Sequence, residues 1–427
     1  MLYNRAVPTN LGRLKSIILP LFLLFFTAGI LTGEPASWMT GKSNPEELQI
    51  QLVTIEPGDE LYTWWGHSAI IVTDTATGES RFYNYGLFSF ETENFFSNFA
   101  MGRLWFEVGA MPTQFALEAY KRRNRTITIQ TLNATPEVKQ ELARFLETNI
   151  LPENRKYLYD HYYDNCATRV RDILDTAADG ELHTYADAPA ETTFRRITRR
   201  FSGGYFFADM LLMFLMGQTI DETITIWETM FLPTELQGII EEISIQTAEG
   251  RTEPFVVDSV VFNQATGRKP IPDKASSAVP LALAFGGGMG LIISLFSFAL
   301  RHKPAAARIH FGIASCLTGF FMGLPGIVLA LMSLFTNHSV TYWNENLALA
   351  NPLTFLAFPL GIFTAAGFQR ISRIAAWLWF SLAGIGALYI ILKVFPFFTQ
   401  DNWQIIAFLA PLLAALAYSG RQQLTLK

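Results

Sequence analysis

The apolar residues of this chain are segregated. Beyond residue 278 they gather into five runs, at about 278–300, 309–335, 352–368, 373–395 and 403–419, while residues 34–277 mix polar and apolar types. A helix needs about 20 residues to cross the ~30 Å hydrocarbon layer. The runs therefore predict an all-α polytopic membrane domain of five helices over 278–419, followed by a tail at 420–427. The third and fifth runs are short and rely on flanking aromatics for length. A further run at 16–33 follows Arg5, Arg13 and Lys15 and has the form of a signal peptide or a retained anchor. Its length, and the lack of a small-x-small cleavage site, favour an anchor with residues 1–15 in the cytoplasm. Composition agrees: charged residues make up 16% of the chain, below the ~25% of soluble domains.

The connecting loops give an orientation. The N-terminal stretch, the 301–308 loop, the 369–373 loop and the tail carry Lys and Arg, whereas the 336–351 and 396–402 loops carry none. Positive charge stays on the cytoplasmic side, so both termini are expected inside and residues 34–262 outside, joined to the membrane domain by a linker at 263–277. A net charge of −5 and the lack of a basic run give nucleic acid no footing.

The outer domain reads as α+β. Residues 47–55, 67–73, 80–85, 104–109 and 125–130 read as strands. Helices are expected at 91–101, 112–122 and 136–149, the last opened by Thr135 as N-cap and Pro136 at its first position.

Only two cysteines occur, Cys316 inside an expected span and Cys166 in the outer domain. An unpaired thiol is unusual in an oxidising compartment. The neighbours of Cys166 argue for chemistry over simple packing. In Tyr157-Leu-Tyr-Asp-His-Tyr-Tyr-Asp-Asn-Cys166, Asn165 is a good N-cap, and Val170, Ile173, Leu174 and Ala177 follow at helical spacing. Cys166 then sits in the first helical turn, where the backbone dipole favours negative charge and a lowered thiol pKa is expected.

A nucleophilic thiol needs a base and a group to orient it. His67, which opens a strand after Trp64-Trp65-Gly66, is the leading base, with His161 a second candidate. Asn84 on the paired strand is the leading third residue and Asp164 its rival. Asn165 is read as an oxyanion donor or an orienting group. His183 lies in an acidic loop with no role. No His-Glu-x-x-His or Cys-x-x-Cys is present, so no metal site is expected.

Two further segments stand out. Arg195, Arg196, Arg199 and Arg200 precede a Phe- and Met-rich stretch, so 194–216 reads either as an interfacial segment or as a core helix beside a basic turn. The 337–351 loop, with Trp343 and Glu345, is either a wall of the site or an ordinary interfacial loop.

Gly66-His-Ser-Ala69, Phe82-Tyr-Asn-Tyr-Gly86 and Tyr163-Asp-Asn-Cys-Ala-Thr-Arg169 resemble the Lnb N-terminal periplasmic domain family. The His-before-Cys order is also similar to the circularly permuted branch of the NlpC/P60 papain-like superfamily, whose lecithin:retinol acyltransferase group has Asn before its Cys. The resemblance covers roughly residues 47–175. It implies a permuted papain-like periplasmic fold on a bacterial inner-membrane protein and lipoprotein N-acyltransferase activity, with Cys166 as acyl carrier, His67 as base and no cofactor. The implied partners are a membrane phospholipid donor, a lipoprotein acceptor and the bilayer itself. Tyr163, Arg169, Trp65, Arg199 and Trp343 are then expected as substrate or lipid contacts. Two other readings are a cell-wall amidase or peptidase with the same Cys–His chemistry, and a non-enzymatic membrane scaffold in which Cys166 is merely packed.

Overall fold

The computed structural model describes residues 35–88, 94–246 and 250–425. The 16–33 run lies outside the described residues. The chain forms two compact units made of interleaved segments. The first comprises the chain up to Phe96, Leu104–Ala188 and Thr225–Arg268; the second comprises Ser97–Arg103, Pro189–Ile224 and Lys269–Lys427. The excursions at 97–103 and 189–224, expected within the outer domain, thus cluster with the C-terminal helices. Hydrogen bonds explain it: Met101 O accepts from Asn337 N at 2.9 Å, and Arg103 Nε donates to Asn337 Oδ1 at 3.2 Å.

The first unit is α+β and is built on one antiparallel sheet. Its strands are β1 (Leu48–Ile55), β2 (His67–Asp74), β3 (Ser80–Leu87), β4 (Trp105–Pro112), β5 (Ile127–Leu132), β6 (Lys156–Leu158) and β7 (Val256–Asn263), in the order β7-β5-β1-β2-β3-β4-β6. Alternation along the strands divides the residues between two faces. Leu48, Ile50, Leu52, Ile70, Val72, Tyr83 and Tyr85 pack on one side with helix α2 (Pro136–Asn149), helix α3 (Cys166–Ala177) and helix Pro233–Glu242. Val53, Ile55, Ala69, Ile71 and Phe82 pack on the other against Ala116, Leu117 and Tyr120 of helix α1 (Thr113–Arg122). Strands β6 and β7 were not foreseen. β6 is three residues long, and Val256-Val-Asp-Ser-Val-Val-Phe-Asn263 does not alternate because it is an exposed edge strand.

Helix α3 begins as its sequence suggests. Asn165 Oδ1 accepts from the backbone N–H groups of Ala167 and Thr168, and Thr168 Oγ1 answers by accepting from Asn165 N at 2.8 Å, which closes a capping box. Such a cap contributes about 1 kcal/mol. Val170 and Leu174 then bury completely against the sheet, which fixes the roll of the helix and so the place of Cys166.

In the second unit four helices are long and apolar enough to cross a membrane: α4 (Val279–Ala299), α5 (Pro304–Phe335), α7 (Gln369–Leu392) and α8 (Trp403–Thr425). The 352–368 run, expected as a fifth span, is not among these four long helices. It forms a 3-10 turn, Pro352–Leu356, and the short helix α6, Ala357–Ala365. Together these are roughly 20–25 Å long, less than the ~30 Å a span needs. Asn351-Pro352 opens the segment, and Gly367 at φ +105° closes it. It lies tightly against α5: a Cβ on Gly319 would stand 2.5 Å from Phe358 N, and one on Gly323 would stand 2.3 Å from Phe355 N. Only glycine allows that approach.

The helix Phe206–Leu215 belongs to this unit. The amides of Asn344 and Asn346 donate to its last carbonyls, Asn344 to Phe214 O at 3.0 Å and Leu215 O at 2.9 Å, and Asn346 to Met213 O at 3.2 Å. The neighbouring Glu345–Lys393 pair (2.9 Å) is buried and also takes the Tyr389 hydroxyl. Of the arginines expected at a headgroup surface, Arg195 is instead fully buried: it binds Asp221 at 2.7 Å and the carbonyls of Met216 and Gly217.

Candidate active site

His67 opens β2, and the ladder pairs Ala69 with Asn84 of β3, which places both His67 and Asn84 on the α1 face. Asn84 Oδ1 lies 2.6 Å from His67 Nε2. The buried amide carbonyl accepts the Nε2–H, which leaves the lone pair on Nδ1. The Tyr120 ring lies 6.0 Å from the imidazole.

Gly86 brings the thiol to this pair. At φ +92° it interrupts the β3–β4 register between Tyr85 and Leu87. A Cβ there would stand 3.8 Å from Cys166 Cβ, 3.8 Å from His67 Cε1 and 4.0 Å from the Tyr157 hydroxyl. Cys, His and Tyr thus converge around one point on the backbone. Cys166, His67 and Asn84, expected together from the sequence, are brought together.

The electrostatics differ from expectation in one respect. The Cys166 thiol is pushed up, not down. Burial is the dominant cause, and the backbone N–H groups of Ser68, Ala167 and Cys166 oppose it without winning. The helix N-terminus does favour the thiolate, but it competes with desolvation in an enclosed site. Burial also lowers His67 to about 4, against the bond from Asn84. At neutral pH the resting pair is therefore an uncharged thiol beside an uncharged imidazole.

The remaining expected residues are placed as follows. Asn165 spends Oδ1 on the cap and its amide nitrogen on His161 O (2.7 Å) and Phe231 O (2.9 Å). No donor is left for an oxyanion, so its geometry is that of an orienting residue. Asp164 binds Arg169 by two oxygens, one at 2.7 Å, and the Arg169 guanidinium stacks 4.3 Å over the Tyr157 ring. Both therefore buttress Tyr157. Tyr163 is exposed. Trp65 packs its ring 4.8 Å from His161. His161 is lowered to about 4 by burial and lies among Trp65, Tyr162 and Phe231, with its Nε2 unpartnered. His183 lies 4.4 Å from the Trp227 ring. Arg199 and Trp343 belong to the second unit, where Arg199 reaches Asp209 at 3.5 Å and Trp343 is exposed at φ +52°. Among the described residues no cluster of His, Cys, Asp or Glu suits a metal ion.

Two residues escaped sequence reasoning. The Tyr157 hydroxyl is buried without a hydrogen-bond partner at the edge of the thiol–imidazole pair. Arg125 is buried close behind His67. Neither carries a motif: Tyr157 is one of four tyrosines in seven residues, and only the fold shows which hydroxyl is left over.

Searches of curated proteins and of solved structures find no match. Residues 34–200 match the family described as the Lnb N-terminal periplasmic domain. That stretch contains His67, Asn84, Tyr157 and Cys166, so the residues of the candidate site lie within the part of the chain that is similar to the Lnb N-terminal periplasmic domain family.

Proposed function

We propose that the protein is a lipoprotein N-acyltransferase that carries a fatty acyl group on Cys166. The observation that carries this reading is the convergence of Cys166 and His67 on Gly86, with Asn84 holding the imidazole at 2.6 Å. A thiol, a base and an orienting amide are the parts required for covalent acyl transfer. The strand order, with His and Asn before the Cys helix, supports a circularly permuted papain-like arrangement.

In the first half-reaction His67 Nδ1 takes the thiol proton as sulfur attacks the ester carbonyl of a membrane phospholipid. Negative charge moves to the carbonyl oxygen. The N–H groups of Ser68 and Cys166 and the hydroxyl of Tyr157 are the nearby donors for it. Collapse releases the lysophospholipid alkoxide, which takes the proton back from His67 and leaves an acyl thioester. In the second half-reaction the α-amine of a diacylglyceryl-cysteine lipoprotein attacks the thioester. The amine proton passes to His67, the C–S bond breaks, and the returning proton restores the Cys166 thiol. The acyl chain ends in an amide. Because the resting pair is neutral, the charge separation occurs only as the bond forms.

Four membrane-length helices support a bilayer-borne donor and acceptor. A soluble cell-wall peptide would need none of them.

The test is mass spectrometry of the N-terminal lipopeptide of an abundant lipoprotein from cells with the wild type, Cys166→Ala, or no copy. The N-linked acyl chain should be present in the first and absent from the other two. Its persistence in the null strain, with no second enzyme supplying it, would sink the lipoprotein reading and move cell-wall hydrolysis to the front.

A further inference from the structure

Arg125 is a buried cation without a counter-ion. It is 2% exposed, and among the described residues no carboxylate lies within ion-pair distance of it. Charged side chains this deep are nearly always paired. Its guanidinium is held by main-chain carbonyls: Nε donates to Glu56 O, and Nη2 donates to Ile55 O at 3.4 Å. Both carbonyls stand at the end of β1, where the ladder places Ile55 directly opposite His67. Nη1 lies 3.0 Å from where a Cβ on Gly58 would be, so a side chain at 58 would crowd the guanidinium.

These facts place a fixed positive charge behind the imidazole, held by neutral groups that do not cancel it. We propose that Arg125 is the electrostatic positioning residue of the site: its uncompensated charge supplies the field in which negative charge forms on Cys166 and keeps the proton-accepting imidazole neutral. The proposal rests on the thiol reading above, not on the identity of the acyl acceptor. Both consequences share one sign. A nearby cation favours the thiolate and disfavours the imidazolium, and Arg125 acts in these directions on Cys166 and on His67. The other titratable or charged groups near the pair are Tyr120 from α1, Tyr157 and Tyr159 from β6 and the residue after it, and the Asp164–Arg169 ion pair, whose guanidinium lies over the Tyr157 ring. The tyrosines are raised by burial and stay neutral. Around Arg125 itself, burial opposes its charge most, Arg268 and Arg123 oppose it further, and Tyr120 and Glu60 favour it. Arg125 is therefore the unpaired charge that acts on both members of the pair, whereas Arg169 is paired with Asp164.

The experiment measures alkylation of Cys166 by iodoacetamide across pH on the full-length protein in detergent. It is read by peptide mass spectrometry so that Cys316 does not contribute. Arg125→Gln removes the charge but keeps a donor for the carbonyls of Ile55 and Glu56, and Arg125→Lys keeps the charge. With Gln the midpoint should rise by about one pH unit, roughly a tenfold slower reaction at pH 7, while Lys should stay with the wild type. A Gln profile that overlays the wild type overturns the proposal, as does a Lys profile shifted as far as Gln. If the Gln variant does not fold, Lys decides alone, since a raised midpoint there would show that charge is not what counts. The alkylation readout needs no lipid substrate. A wild type that fails to acylate lipoproteins therefore defeats the function proposed above without touching this result.

Discussion

Asn84 and His67 meet on one face of the β2–β3 ladder, the amide Oδ1 2.6 Å from the imidazole Nε2. Because Asn84 is buried on the sheet, its amide cannot swing away without losing this bond. The ring is thereby fixed with Nδ1 as the basic nitrogen. Asn84→Ala should keep the thiol and the base but release the ring. Misplacement on the order of 1 Å costs about 10²-fold, so acyl transfer measured on purified protein should fall by about that factor. Iodoacetamide labelling of Cys166 should continue. A variant with full turnover would remove Asn84 from the site.

The neutrality of the resting pair has a signature in pH. His67 accepts a proton only while unprotonated, and burial lowers its pKa to about 4. The acid limb of the rate profile should therefore fall near pH 4, well below the range of an ordinary histidine near 6.5. Stability follows by linkage. The unfolded chain binds protons at His67 and His161 near pH 6.5 and the folded chain near 4. Their contribution is complete above about pH 6.5, declines as the pH falls and is gone below about 4. Chemical denaturation at pH 7 and pH 5 should show the lower stability at pH 5. An acid limb at pH 6 or above would mean that the base is more solvated than its packing indicates.

Gly86 tests how the convergence is built. A Cβ there would meet its neighbours at ordinary contact distance, 3.8 Å or more, so space is not the obstacle. The backbone is: φ +92° is a conformation that costs an L-residue about 1–2 kcal/mol. Gly86→Ala should lower stability to denaturant by about that amount. It should also slow the enzyme, because relief of the strain moves the segment that separates Cys166 from His67. Unchanged stability would show that the bulge is not needed to hold the two side chains.

Much of this site was legible because its signals are local. The cap, the thiol in the first turn and the apolar spacing after it all lie within Asn165–Ala177, and Asn165 caps the helix as read, with Thr168 completing a capping box. His67 and Asn84 could be paired because a short loop between two alternating strands leaves few registers open. The thiol pKa was misjudged for a different reason. A helix N-terminus is visible in sequence, but burial depends on Tyr157 and Tyr159 from one segment and Tyr120 from another. The broken helix at 352–368 escaped for a related reason. Hydropathy sums an apolar run and does not notice that Asn351-Pro352 and Gly367 bound a 3-10 turn and a short helix rather than one long helix. Arg125 was invisible, since what distinguishes it is the absence of a carboxylate around it in space.

Tyr157 gives the sharpest separation of catalysis from structure. Its ring is held by the Arg169 guanidinium at 4.3 Å, which Asp164 in turn fixes, so the side chain is positioned without any use of its hydroxyl. That hydroxyl is buried and unpartnered, and an unmet buried donor destabilises a fold. Burial also raises its pKa, with the neighbouring Cys166 adding to the shift, so it stays protonated and able to donate. A group that the fold does not need, kept at the edge of the thiol–imidazole pair, is suited to charge that appears only during reaction. Tyr157→Phe keeps the ring and its stacking and removes the donor. Acyl transfer should fall about 10²-fold, with kcat affected more than KM. The melting temperature should hold or rise, since the variant removes an unsatisfied polar group. Were Tyr157 merely structural, the same substitution would leave kcat alone, and the oxyanion would have to be met by the backbone N–H groups of Ser68 and Cys166 without it.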